Sequence, residues 1–299
     1  MISTKFSLLI IFALILISSL IGLAFTFTKM NKINEHIVPD IENFIKNKLQ
    51  GEFIYYPNPG NAGDNLIGYA TVQIFKRLNL KYTFTNKIQK FTNKVLVYGG
   101  GGNLVPMYNE CRKFLMLNHN HNDILILPHT IYGNEDLLKK LGKRTTIMCR
   151  EMRSYNHVMK HFRYKNNVYV ADDLALSIDL SKLNIYPIKG NNVLNSFRID
   201  GESKDKSSKK ITDNIDLSLK LMKGTHTKDL LKTVSTDFLE YINKFEIVNT
   251  DRLHVSIAAC LLGKHVNLYA NSYYKNRSIY EYSLKKKFPK CKFYENYNP

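Results

Sequence analysis

Residues 94–103 run Lys-Val-Leu-Val-Tyr-Gly-Gly-Gly-Gly-Asn. Lys94 to Tyr98 is too short and too rich in β-branched and aromatic residues for a helix, so it predicts a buried strand. Gly99 to Gly102 end that strand. Four consecutive glycines carry a large conformational entropy cost, so close approach of the backbone to a ligand is a better account of them than a mere turn. The same sequence of events recurs on both sides. Residues 52–56 predict a strand, followed by the loop 57–64 and a helix over 65–78. Residues 123–127 (DILIL) predict a strand closed by Pro128, and 144–149 and 167–170 predict two more. Strands alternating with helices predict a parallel α/β sheet.

After a connector at 186–192 a second set begins. Strands are expected at 193–198, 246–249 and 266–269, with helices at 229–244 and 252–262. The expected organisation is two Rossmann-like domains, 51–185 and 186–299, with ligands at the carboxyl ends of the strands. The segment 31–50 reads as a stem helix that Pro39 kinks or divides. From Phe6 to Phe27 there is no charge. That length matches the roughly 20 residues needed to cross a bilayer. It predicts one N-terminal transmembrane helix within residues 1–30, hence a single-pass membrane protein with the membrane as a partner through that segment.

The chain carries 43 Lys and Arg against 25 Asp and Glu, a net charge of +18. A field of that sign attracts anions. No run of five or six bases stands out, so a solvated basic face is expected and a nucleic-acid partner is not. Cys111, Cys149, Cys260 and Cys291 form no Cys-x-x-Cys pair. They predict neither a metal site nor a disulfide framework.

The polar residues fall at the predicted strand ends. In Asn58-Pro59-Gly60-Asn61-Ala62-Gly63-Asp64, glycines precede a helix whose N-terminus favours oxygen-rich or anionic groups. Asp64 is expected as the helix N-cap, as a contact to a sugar hydroxyl, or as both. Gly101 and Asn103 close the tetraglycine loop, and His129 ends the third strand at the same edge. Arg150 and Glu151 read as structural residues that pair with neighbours, and Asp172-Asp173 as helix caps. Arg198 ends a strand of the second half. In Asp251-Arg252-Leu253-His254, Asp251 is the natural N-cap. Arg252 could then clamp a carboxylate or phosphate, and His254 could pass protons near neutral pH. Asn271, Ser272 and Lys275 follow the last predicted strand. Cations from separate strand ends describe a site for a small, highly charged anion.

Taken together and in this order, these segments resemble the polysaccharide pyruvyl transferase family. The matching pieces are Gly60 to Asp64, Tyr98 to Asn103, Leu127 to Ile131, Arg150-Glu151 with Ser154, Phe197-Arg198 with Asp200 and Glu202, Asp251 to His254, and Asn271 to Tyr273 with Lys275-Asn276. The resemblance runs from about Phe53 to Ile279. It implies a fold like the B-type glycosyltransferases, with two Rossmann-like domains. It also implies transfer of the enolpyruvyl carbons of phosphoenolpyruvate onto two hydroxyls of one sugar, giving a cyclic ketal and phosphate. No cofactor is implied beyond phosphoenolpyruvate as co-substrate, and the acceptor is a glycan or polysaccharide. Carried over by residue, Arg198 and Arg252 would hold the donor, helped by Asn271, Ser272 and Lys275, and His254 would be the acid/base. Asn61, Gly63, Asp64, Gly101, Asn103 and His129 would face the acceptor, His129 standing where many relatives carry glutamine. Two rival expectations share these features: a nucleotide-sugar-dependent glycosyltransferase of the same fold, and a non-catalytic, membrane-tethered glycan-binding protein.

Overall fold

The computed structural model describes residues 33–204, 211 and 213–297. The chain divides after Ile37, and all the strands below belong to the unit that begins at Val38. The first sheet contains β1 (Phe53–Tyr56), β2 (Tyr82–Phe84), β3 (Val95–Tyr98), β4 (Gly101–Leu104), β5 (Asp123–Ile131), β6 (Thr145–Cys149) and β7 (Val168–Val170). Its order is β2-β1-β3-β5-β6-β7, with β4 beside the far end of β5. The second sheet contains β8 (Val193–Ser196), β9 (Ile247–Thr250), β10 (His265–Tyr269) and β11 (Cys291–Tyr294), in the order β11-β10-β9-β8. Every pairing in both sheets is parallel.

The continuous apolar runs follow from burial on both faces. Along β3, Val97 enters one core with Tyr55, Leu125 and Met148. Leu96 and Tyr98 enter the other with Tyr56, Ile124 and Ile147. The first of these cores is continuous with the second sheet, taking in Leu194, Val248 and Val266. The helix Ala62–Arg77 makes much of that join by packing on the helix Lys228–Asn243.

In three places the structure departs from the sequence reading. Strand β5 does not stop at Pro128 but runs through it to Ile131. A register irregularity between Ile126 and His129 absorbs the residue that cannot donate to the ladder. The glycine run is not wholly a loop, since Gly101 and Gly102 begin β4. The segment read as a stem yields the helix Ile41–Lys48, which starts after Pro39 with Asp40 as its cap. Ile45 and Leu49 are buried in the core, so from Val38 onward this stretch is packed rather than free-standing.

The membrane helix and the single-pass localisation are corrected. Among the described residues no helix is long and apolar enough to cross a membrane. The helices Ala62–Arg77 and Lys228–Asn243 have 16 residues each and carry charges. At 1.5 Å per residue that is about 24 Å, short of the roughly 30 Å hydrocarbon core. The stretch from Phe6 to Phe27, on which the membrane expectation rested, lies outside the described residues.

Candidate active site

Strands β1 and β3 are neighbours whose following connections leave toward opposite edges of the sheet. That makes the gap beyond their carboxyl ends the place where a ligand fits. Asn58, just past β1, is buried and donates to Asp64 Oδ1 at 2.6 Å. The cap of the following helix is Asn61 rather than Asp64: its side chain accepts from Gly63 N, while Asp64 Oδ2 accepts from Asn61 N at 2.9 Å. This reciprocal pair is a capping box. Burial raises the Asp64 carboxyl above its usual range, and His254 is the largest opposing influence.

The glycines of the second loop make room chiefly for other protein groups. A Cβ on Gly99 would lie 2.5 Å from Asn58 N, and one on Gly101, where φ is +154°, 2.6 Å from Asn58 Nδ2. On Gly102 it would lie 2.7 Å from a guanidinium nitrogen of Arg150. His129 is fully buried, and its Nε2 accepts from Asn103 N at 3.0 Å. Burial, followed by the charge of Arg150, pushes its pKa down to about 3, so the ring is neutral. His129 therefore positions Asn103 from behind.

The opposite wall is a lattice of ion pairs. Arg198, past β8, donates to both oxygens of Asp200 at 2.8 and 3.0 Å and pairs with Glu202 at 2.9 Å. Arg252, past β9, donates to Asp216 Oδ1 and to Asp200 Oδ2, each at 2.8 Å. Lys275, past β10, reaches Glu202 at 2.5 Å. Burial would raise the Glu202 carboxyl, but Lys275 and Arg198 together hold it down at about 2. Burial pushes Lys275 down to about 8 despite that carboxylate. Tyr108 donates to the remaining Glu202 oxygen at 2.6 Å. Asp251 does not cap its helix: Arg252 holds the cap position, and the Asp251 carboxylate accepts from Arg198 N at 2.7 Å. Burial raises Asp251 to about 6.

Between the two walls stand the buried Arg150 and Asp173 with the half-buried His254. Arg150 donates to Asp173 at 2.7 Å and to Thr130 Oγ1 at 2.8 Å. The Nε2 of His254 is 3.4 Å from the same Asp173 oxygen and 3.5 Å from Arg150. His254 lies against Gly63, where a Cβ would come within 2.6 Å of Nδ1. Burial would raise Asp173, but Arg150 and His254 hold its carboxyl well below the usual range. Asp173 also caps its own turn by accepting from Ala175 N, so capping and charge pairing hold together.

A cleft of about 300 Å³ results. Of the residues expected from sequence, Asn61, Asp64, Asn103, Arg198, Arg252, His254 and Lys275 line it. Gly63, Gly101, His129, Asn271 and Ser272 stand behind this lining: Asn271 Nδ2 lies 3.4 Å from Glu202 Oε2, and Ser272 N donates to the Glu202 carbonyl at 3.0 Å. Arg150, given only a structural role in the sequence reading, and Tyr108, Glu110 and Ser218, not singled out there, also line the cleft. Arg150 carried a signal, since it follows a strand at the ligand edge of the sheet. Ser218, in a stretch with no strand nearby, carried none.

A model of the polysaccharide pyruvyl transferase family matches residues 61–273. Among known proteins, EpsO of Bacillus subtilis (strain 168), named as a candidate pyruvyl transferase, is 26% identical over 278 residues, covering 77% of this chain and 85% of its own. General stress protein 30 of the same organism is 24% identical over 298 residues, covering 84% and 83%. A solved structure of a functionally uncharacterised protein from Klebsiella pneumoniae subsp. pneumoniae NTUH-K2044 aligns with a TM-score of 0.73 at 33% identity. It covers 85% of this chain and 97% of that one.

Proposed function

Given that this chain belongs to the polysaccharide pyruvyl transferase family and is a transferase, we propose that it moves the enolpyruvyl unit of phosphoenolpyruvate onto two hydroxyls of one glycan sugar. The observation that carries this reading is the convergence on one cleft of Arg150, Arg198, Arg252, Lys275 and His254, drawn from four different strand ends. A small trianion needs such a set. The carboxylates around the guanidinium groups keep them oriented before the donor arrives, and the donor competes with them for the guanidinium N–H groups.

A proton adds to the methylene of phosphoenolpyruvate and makes it methyl, leaving the adjacent carbon electrophilic. One sugar hydroxyl bonds to that carbon and loses its proton. The carbon–oxygen bond to phosphate then breaks, the phosphate leaves with its electron pair, and the second hydroxyl closes the ketal. Of the two hydroxyl protons, one replaces that delivered to the methylene and the other leaves on phosphate. His254 supplies the acid/base group, its Nε2 lying beside Asp173 and Arg150. Arg198 and Arg252 stabilise the departing phosphate. Asn61, Asp64 and Asn103 face the acceptor and hold the diol, so the second attack is intramolecular.

Incubating the full chain with phosphoenolpyruvate and a panel of glycans should release phosphate and add a pyruvate ketal to the acceptor mass. His254→Ala and Arg252→Ala should each lower the rate by roughly 10² to 10⁴-fold. Sugar transfer from a nucleotide donor, with no phosphate released from phosphoenolpyruvate, would overturn the reading.

A further inference from the structure

Outside the cleft, among the described residues, one set of three side chains comes together with the makings of a metal site. His157 and His161 are four apart on the helix Met152–His161, so they share one face of it. Their ring centroids are 4.9 Å apart. Glu135, the first residue of the helix Glu135–Lys140, reaches the same place. One ligand atom from each of the three falls within 4.8 Å of the others. A four-coordinate zinc ion, with bonds of about 2.0 to 2.1 Å, spaces its ligand atoms by about 3.4 Å. Side-chain rotation of about an ångström closes that gap.

We propose that Glu135, His157 and His161 bind a divalent transition-metal ion of the zinc type, at a site separate from the transfer reaction. The donor set selects the ion. Two imidazoles and one carboxylate suit zinc, cobalt, nickel or copper and poorly suit magnesium or calcium. Three protein ligands leave one coordination position for water. The His157 ring is already held, because its Nε2 donates to the Gly133 carbonyl at 2.8 Å and the ring lies 5.9 Å from that of Tyr132, tilted by 46°. An outer contact to a backbone carbonyl is what orients metal-ligating imidazoles. Such an ion ties the connection after β5 to the helix that begins beside Arg150.

The test uses the untagged full chain, stripped with chelator and titrated with zinc chloride by calorimetry. One zinc ion should bind, and zinc at about 100 times its Kd should raise the thermal midpoint by several degrees. Magnesium chloride should do neither. The double variant His157→Gln/His161→Gln should lose the binding. Because His157 also anchors Gly133, His161→Gln alone provides the second variant; it should weaken zinc binding at least tenfold while the midpoint without metal stays unchanged. Absence of zinc binding to the wild type, or equal binding to wild type and His161→Gln, would overturn the proposal.

Discussion

His254 works from a surface made for it by a glycine. Gly63 sits in the first turn of a helix in the first half of the chain, yet its missing side chain is filled by an imidazole from the second. Gly63→Ala should therefore displace His254 without disturbing the capping box formed by Asn61 and Asp64. A displacement of about 1 Å near reacting groups can cost about 10²-fold in rate, so phosphate release should fall by that order while the far-ultraviolet circular dichroism is unchanged. Asp173 raises a different issue. It is the only carboxylate in contact with the buried Arg150 guanidinium among the ion pairs of the described residues. Asp173→Asn leaves that charge uncompensated and should cost about 3–5 kcal/mol in urea unfolding. Replacing both partners, Arg150→Met with Asp173→Leu, should cost less than the single change. If it costs more, the pair is not what stabilises this part of the core.

At the scale of elements, the cleft depends on how closely two helices approach. Ala62–Arg77 and Lys228–Asn243 pack with Gly68 facing Leu231, where a Cβ would already lie 3.0 Å from a leucine methyl. Gly68→Leu overfills that contact and should destabilise the chain by about 1–3 kcal/mol. Since the same helix carries Asn61 and Asp64 at its other end, the KM for the acceptor should also rise. An unchanged urea midpoint would show that the helices separate freely. Both helices were predicted, over 65–78 and 229–244, but not that they pack on each other. Edge strands β2 and β11 also went unseen, because three or four residues pairing on one side only leave too short a pattern to distinguish from loop. The extension of β5 through Pro128 was hidden for a related reason: a local rule about proline gave way to pairing with β4 and β6.

For the molecule as a whole, buried carboxylates set the response to acid. Glu202 is held at about 2, against an ordinary value near 4.5, and Asp173 is lower still. A depressed carboxyl contributes stability that is present above its unfolded value and is lost as pH falls toward the folded one. For Glu202 that amounts to about 3 kcal/mol, lost between roughly pH 5 and 2. Asp251 acts in the opposite sense: raised to about 6, it contributes below its ordinary value and loses that contribution as pH rises through 6. Urea midpoints should therefore fall steeply from pH 5 to 3. In Glu202→Gln the midpoint should start lower and fall less across the same range. A wild-type midpoint that is flat there would remove the ion-pair lattice from the account of stability.

What the sequence determined by itself was local. The central strands, the glycine loops after them, the α/β class and the ordered motifs of the family could all be read, because hydrophobic period and chain-breaking residues act over a few positions. Seven of the residues singled out do line one cleft. The tertiary structure alone decided the partners. Arg150 meets His254 across 104 positions of chain, and Arg252 meets Asp216 across 36. Whether Asp251 caps a helix or holds Arg198, and whether His129 faces a ligand or supports Asn103, depends on which strand end lies beside which. Charge pairing and burial are properties of neighbours in space, and a linear pattern does not contain that neighbourhood.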